Sequence, residues 1–190
     1  MKRLLILILS IFLLMNCDRK QSAKDKTEPE ANSRSIGDKI DPTIVYWKLD
    51  LDTIHKTYQV NIENDKYELE LKNYSLNDSS IIKINDTNKP EIYKDIYHDR
   101  VTDIILKKGN NIILNSQVKK ANFKDSISGD FLKYSVLRNV EFDFIRSNRL
   151  YFKADIDVPD TDWATGLDFA IFYRTNKKGL IDYWNVKQIE

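Results

Sequence analysis

Cysteine, histidine and long apolar runs are scarce in this sequence, and each shortage closes a route to stability or function. With a single cysteine, Cys17, no intramolecular disulfide can staple the chain, so stability has to come from apolar burial. The only histidines, His55 and His98, stand 43 positions apart with Asp52 and Asp99 nearby. Zinc wants three or four ligands at fixed geometry, so this supply predicts no metal site. A nucleophilic serine needs a base and an oxyanion hole, and no Gly-x-Ser-x-Gly elbow occurs; Ser128 beside Gly129 lacks the rest of that motif. No catalytic residue and no cofactor is therefore expected. Charge of one sign is missing too: 30 Lys and Arg face 29 Asp and Glu, a net charge of +1. Such a balance offers no electrostatic footprint for nucleic acid.

What is present begins at the N-terminus. Lys2 and Arg3 precede an apolar run over residues 4–15, broken only by Ser10 and followed by Asn16 and Cys17. A bilayer-spanning helix wants roughly twenty apolar residues, so the run is short for an anchor and fits a secretory signal peptide. With Cys17 placed where the run stops, the segment resembles a bacterial lipoprotein signal. Leu14 and Cys17 match the family's box of Leu, a small or aliphatic residue, Gly, Ala or Ser, then Cys, while Met15 and Asn16 are larger than its usual residues. The resemblance implies cleavage of residues 1–16 and lipidation of Cys17. A diacylglyceryl thioether would form on the sulfur and a further chain such as palmitate on the freed amine. It implies a membrane partner and a cell-envelope, periplasm-facing location, with the outer membrane favoured over the inner although Asp18 follows the cysteine. Two or three long chains would hold the protein essentially permanently, since each buried methylene contributes about 0.8 kcal/mol.

Residues 17–41 then read as the lipidated cysteine and a flexible tether. From Asp18 to Asp41 no aromatic residue occurs, and six basic residues face six acidic ones, too little apolar area to offset the entropy of ordering. As a coil this stretch spans about 27 Å on average.

Residues 42–190 form one domain by length, and their pattern changes to period two. Val45, Trp47, Leu49 and Leu51 share a predicted face, as do Tyr58, Val60 and Ile62, then Tyr67, Leu69 and Leu71. Further strands are expected over residues 81–84, and 101–107 pairs with 112–118 across Gly109-Asn110. Val140, Phe142 and Phe144 point one way; after Ser147-Asn148, Leu150, Phe152, Ala154, Ile156 and Val158 line one face. Residues 167–175 and 180–188 make a last hairpin around Gly179. Asp130 is read as the cap of a short helix through Leu137, and the spacing of Ile92/Ile96 and Tyr93/Tyr97 after Pro90 suggests a second. The fold class is mainly β: an antiparallel β-sandwich or partly open barrel with one or two short helices.

The segment Phe131-Leu132-Lys133-Tyr134-Ser135-Val136-Leu137, the strands after it, Pro159-Asp160-Thr161-Asp162 and the terminal hairpin together resemble a family of small uncharacterised lipoproteins carrying a domain of unknown function. The resemblance covers residues 90–190 and implies no activity, only one β-rich domain behind a lipidated cysteine.

For ligand binding the densest group is Asp155, Asp157, Asp160 and Asp162, followed by Trp163. Carboxylates in a loop can serve a hard cation, and an indole can stack on a sugar whose hydroxyls they accept. The spacing departs from the calcium loop of helix–loop–helix proteins, with Pro159 at the third ligand position. The plainer reading makes Asp155 and Asp157 the wet side of a strand, Asp160 and Thr161 turn residues and Trp163 a lid on the core, with Trp47 and Trp184 explained by core packing. The function expected is a membrane-anchored envelope lipoprotein acting as a non-enzymatic binding or interaction module for an envelope protein, a glycan or a small ligand. The alternative is a carboxylate-dependent hydrolase of envelope glycan or peptide.

Overall fold

The computed structural model describes residues 41–85 and 92–189; the expected signal peptide, Cys17 and nearly all of the tether lie outside them. Among the described residues eleven strands fall into three sheets. The first is antiparallel, in the order β2 (Thr53–Ile62), β3 (Asp65–Ser75), β6 (Arg100–Lys108), β7 (Asn111–Lys119). The second, also antiparallel, runs β8 (Val136–Arg146), β9 (Arg149–Asp157), β10 (Ala164–Phe172), β11 (Ile181–Ile189). A small third sheet places β5 (Tyr93–Tyr97) between β1 (Thr43–Tyr46) and β4 (Ile81–Asn85), and β1 runs parallel to β5. One short helix, α1 (Gly129–Tyr134), precedes β8.

The two four-stranded sheets enclose one core, as the alternation predicts. Leu69, Leu71, Ile104, Leu106 and Leu114 of the first sheet meet Leu150, Phe152, Ile156, Phe169 and Ile171 of the second. Phe152 stacks on Phe169 at 5.0 Å, and Phe123, from the turn between β7 and α1, closes on Phe169 at 5.5 Å. Three hairpins turn through two residues, of which the first, Glu63, Gly109 or Ser147, takes a positive φ; that sign matches the twist of the flanking strands. Gly179, at φ +84°, closes the last hairpin, its N–H donating to the Phe172 carbonyl.

Four sequence expectations are corrected. Residues 93–97 make a strand, β5, because ladder bonds to β1 and β4 on both sides outweigh the weak four-residue spacing of Ile and Tyr. The cap of α1 is Ser128, whose Oγ accepts from the Phe131 N–H at 3.2 Å; Asp130 sits in the first turn, and Val136 and Leu137 already belong to β8. The face drawn through Val45, Trp47, Leu49 and Leu51 does not reach the core: β1 ends at Tyr46 and all four are exposed. Phe144 leaves the Phe142 face because a bulge at Asp143 pairs Phe142 with Phe152 but Phe144 with Tyr151, on which it stacks at 4.3 Å, while Ile145 takes the core side.

Candidate functional site

The buried rows of the first sheet change character toward one end. Along β3 the inward series runs Tyr67, Leu69, Leu71, then Asn73 and Ser75; along β6 it runs Leu106, Ile104, then Thr102 and Arg100, and register sets Asn73 beside Thr102 and Ser75 beside Arg100. Interior positions given to polar groups must be hydrogen-bonded or they cost stability. They are bonded here. Asn73 Nδ2 donates to Thr102 Oγ1 at 2.9 Å and Arg100 Nε donates to Asn73 Oδ1 at 2.9 Å. The Arg100 guanidinium, with only 8% of the residue exposed, also pairs with Asp50. Asn77 holds the Asp50 segment in place, its Oδ1 accepting from the Asp50 N–H and its Nδ2 donating to the Asp50 carbonyl.

Above this network lies a cleft of about 160 Å³ lined by Trp47, Lys48, Asp50, Ser75, Tyr97, His98, Arg100, Arg138 and Asp160, among others. Trp47 stacks on Tyr97 at 5.0 Å and an interplanar angle of 22°. The Tyr97 hydroxyl donates to Asp160 Oδ2 at 2.8 Å, and burial together with that carboxylate holds its ionisation far above the usual phenol range. Arg138 keeps Asp157 at 2.7 Å through Nε. Arg100 is paired with Asp50 and Arg138 with Asp157, and Asp160 accepts from Tyr97. Among the described residues Lys48 is therefore the lining cation without an ion pair, and the place where an anionic group would find its counter-charge. His98 takes the Ser79 N–H at Nδ1, 3.0 Å away, which puts the neutral ring's proton on Nε2. That Nε2 is enclosed and has no hydrogen-bond partner among the described residues.

Next to His98 in the chain, Asp99 faces Lys120 at 3.5 Å. Burial pushes the Asp99 carboxyl up and the Lys120 amine down, and Lys120 also donates to the Ser135 carbonyl at 2.6 Å.

The acids singled out in the sequence are divided among several surroundings. Asp155 and Asp157 alternate with buried Ala154 and Ile156 on the outer side of β9, where Asn139 donates to Asp155 at 3.3 Å and Arg138 pairs with Asp157. Asp160, at φ +56° in the β9–β10 turn, reaches the cleft through Tyr97. Asp162 is exposed, and Trp163 is half-buried against the core, edge-on to Phe131 at 5.0 Å. Trp47 lies outside the core, and half-buried Trp184 stands on β11 edge-on to Tyr151. Among the described residues no three His, Cys, Asp or Glu side chains converge as a metal site would need, and no helix is long and apolar enough to cross a membrane. Of the cleft, the sequence pointed only to Asp160. The overlooked signal is the continuation of period two from Leu71 into Asn73 and Ser75, and from Ile104 into Thr102 and Arg100.

Fold and cleft define a two-sheet β domain with a polar site at the end of its core. The chain belongs to the family described as Domain of unknown function (DUF4738), which matches residues 43–177. The match starts in β1, well before the residue-90 limit of the resemblance seen in the sequence, and takes in every cleft residue from Trp47 to Asp160. No curated protein matches the chain.

Proposed function

We propose that the protein is an envelope lipoprotein, anchored through Cys17, whose β domain binds a small polar ligand in the Trp47–Tyr97–Arg100 cleft without turning it over. The observation that carries this reading is the polar end of the core. Interior positions are spent on Arg100, Asn73 and Thr102, bonded in series, with Arg100 also paired to Asp50, an arrangement that core packing alone does not call for and that presents a fixed, ion-paired polar floor beneath an aromatic wall. Ligands with a stackable ring face and a carboxylate fit it, as acidic amino sugars of envelope glycan do. For the hydrolase alternative, glycoside chemistry asks for two carboxyl groups facing one bond, whereas Asp155 and Asp157 are engaged on the outer side of β9 and Asp160 is held by Tyr97.

Two measurements test the halves of the proposal. Metabolic palmitate labelling is expected to mark the wild-type chain and not Cys17→Ser; an unlabelled wild type refutes the anchor. Tryptophan fluorescence is expected to change saturably with N-acetylmuramic acid and not with uncharged N-acetylglucosamine, with the response lost in Trp47→Ala and weakened about tenfold or more in Lys48→Ala. A response that survives Trp47→Ala, or none at all, refutes the assignment of this cleft to that ligand class.

A further inference from the structure

The small sheet carries a face whose two outer strands the other described residues leave exposed. Register places Tyr46, Ile96 and Ile82 in one row across the three strands, and Ile44, Lys94 and Ile84 in the row two residues along. Residues opposite one another on a ladder point to the same side, and every second residue returns to it, so these six share a face. The other face carries Ile81 and Tyr97, which pack with Val136. On the first face Ile44, Tyr46, Ile82 and Ile84, on the two outer strands, are 47%, 66%, 40% and 60% exposed, while Ile96 between them on the central strand is buried, 6% exposed. Single exposed apolar side chains are ordinary, but a contiguous face of them marks an interface.

The chain that leads into this sheet says what covers it. Thr43 opens β1 26 positions after Cys17, so the face belongs to the first element that follows the proposed anchor. Twenty-six residues reach at most about 90 Å whatever their conformation, which confines a domain anchored at Cys17 to that lipid surface at a mutual concentration in the millimolar range. An apolar face too weak to recruit a free protein is held at that concentration. Its chemistry suits the boundary between headgroups and acyl chains: isoleucines, one tyrosine whose ring is apolar and whose hydroxyl is polar, and one lysine whose stem can lie along the face while the ammonium reaches phosphate.

We infer that the exposed side chains Ile44, Tyr46, Ile82 and Ile84 of this face dock on the lipid surface to which the chain is anchored. The inference rests on the lipid-anchor half of the proposed function and not on the cleft.

The test uses the chain from Cys17 onward, its sulfur coupled to a maleimide phospholipid in vesicles of phosphatidylethanolamine and phosphatidylglycerol. Coupling supplies the anchor chemically, so failure of palmitate labelling in cells and failure of docking are separate results. Tyr46→Trp places a reporter on the face. In vesicles with brominated acyl chains the added fluorescence is expected to fall at least about twofold relative to unbrominated ones, and Ile82→Ser with Ile84→Ser is expected to abolish the quenching while circular dichroism stays unchanged. An unquenched reporter on the coupled chain overturns the inference. So does a blue shift of the reporter that grows with protein concentration in uncoupled chain without vesicles, which assigns the face to a second copy.

Discussion

At the scale of single residues, the largely buried Asp99–Lys120 pair is the most informative. Both groups are displaced in the direction that burial dictates, the acid upward and the amine downward, so each is stabilised in its charged form chiefly by the other. Because Asp99 binds its proton more tightly in the fold than in the unfolded chain, the sign is fixed. Its contribution to stability is fullest below the unfolded carboxylate value of about 3.9 and is lost as pH rises through the folded value. Neighbouring Asp78 behaves oppositely: burial alone would raise it, yet the N–H groups of Asp99 and Ser80 hold it below the usual carboxylate range. Asp78 is common to wild type and Asp99→Asn, so to first order it cancels in their difference. Urea unfolding followed from about pH 7 to about pH 4.5 is therefore expected to show the wild type gaining stability relative to Asp99→Asn as the pH falls. A difference that does not vary with pH would contradict burial as the controlling influence.

At the scale of elements, β8 separates what period two can reveal from what it cannot. The strand existed in the sequence as Val140, Phe142 and Phe144, but the extra residue at Asp143 cannot be seen in an alternation read from one strand alone; it shows only against the partner β9. Removing Asp143 leaves Phe142 opposite Phe152, Phe144 opposite Tyr151 and Ile145 opposite Leu150, with loss of the surface contact to Lys153 at 3.3 Å. That deletion is expected to cost no more than about 1 kcal/mol. Deleting Glu141 instead absorbs the same bulge but moves Asp143 opposite Phe152 into the core, and is expected to cost several kcal/mol, roughly the range for burying an unpaired carboxyl. Thermal unfolding of the two deletions checks the contrast.

The same limit explains the other misreadings. Hairpins with a local turn, such as that of Gly109 or Ser147, are written in adjacent residues and were legible. The small sheet joins β1 to a strand 50 positions away, Thr43 to Tyr93, and no local pattern announces such a partner. The cleft was hidden for a related reason: Trp47, Arg100, Arg138 and Asp160 converge from distant segments, each with an ordinary local explanation. Only the switch from leucine and isoleucine to asparagine, threonine and arginine on inward positions was on view, and it needs the strand boundaries before it can be noticed.

At the scale of the molecule, both large sheets depend on one core, so they are expected to unfold together. Tryptophan fluorescence, which reports Trp163 beside Phe131 and Trp184 on β11, should follow the same urea transition as far-ultraviolet circular dichroism. Phe152 stands between Phe142 and Phe169 in that core. Phe152→Ala is expected to cost about 3–5 kcal/mol, a large part of the 5–15 kcal/mol typical of a domain. Two separated transitions in the wild type would contradict a shared core.

The parallel pairing of β1 with β5 has a mechanical consequence. Any pull along the chain from its N-terminal side loads β1 first, through bonds such as Thr43 N–H to the Ile92 carbonyl and Trp47 N–H to the Ile96 carbonyl. Four residues can peel away there before force reaches the Asp50 segment, which Arg100 and Asn77 hold ahead of β2. The third sheet thus works as a fuse: stress arriving from that side is spent first on a strand the main core does not contain.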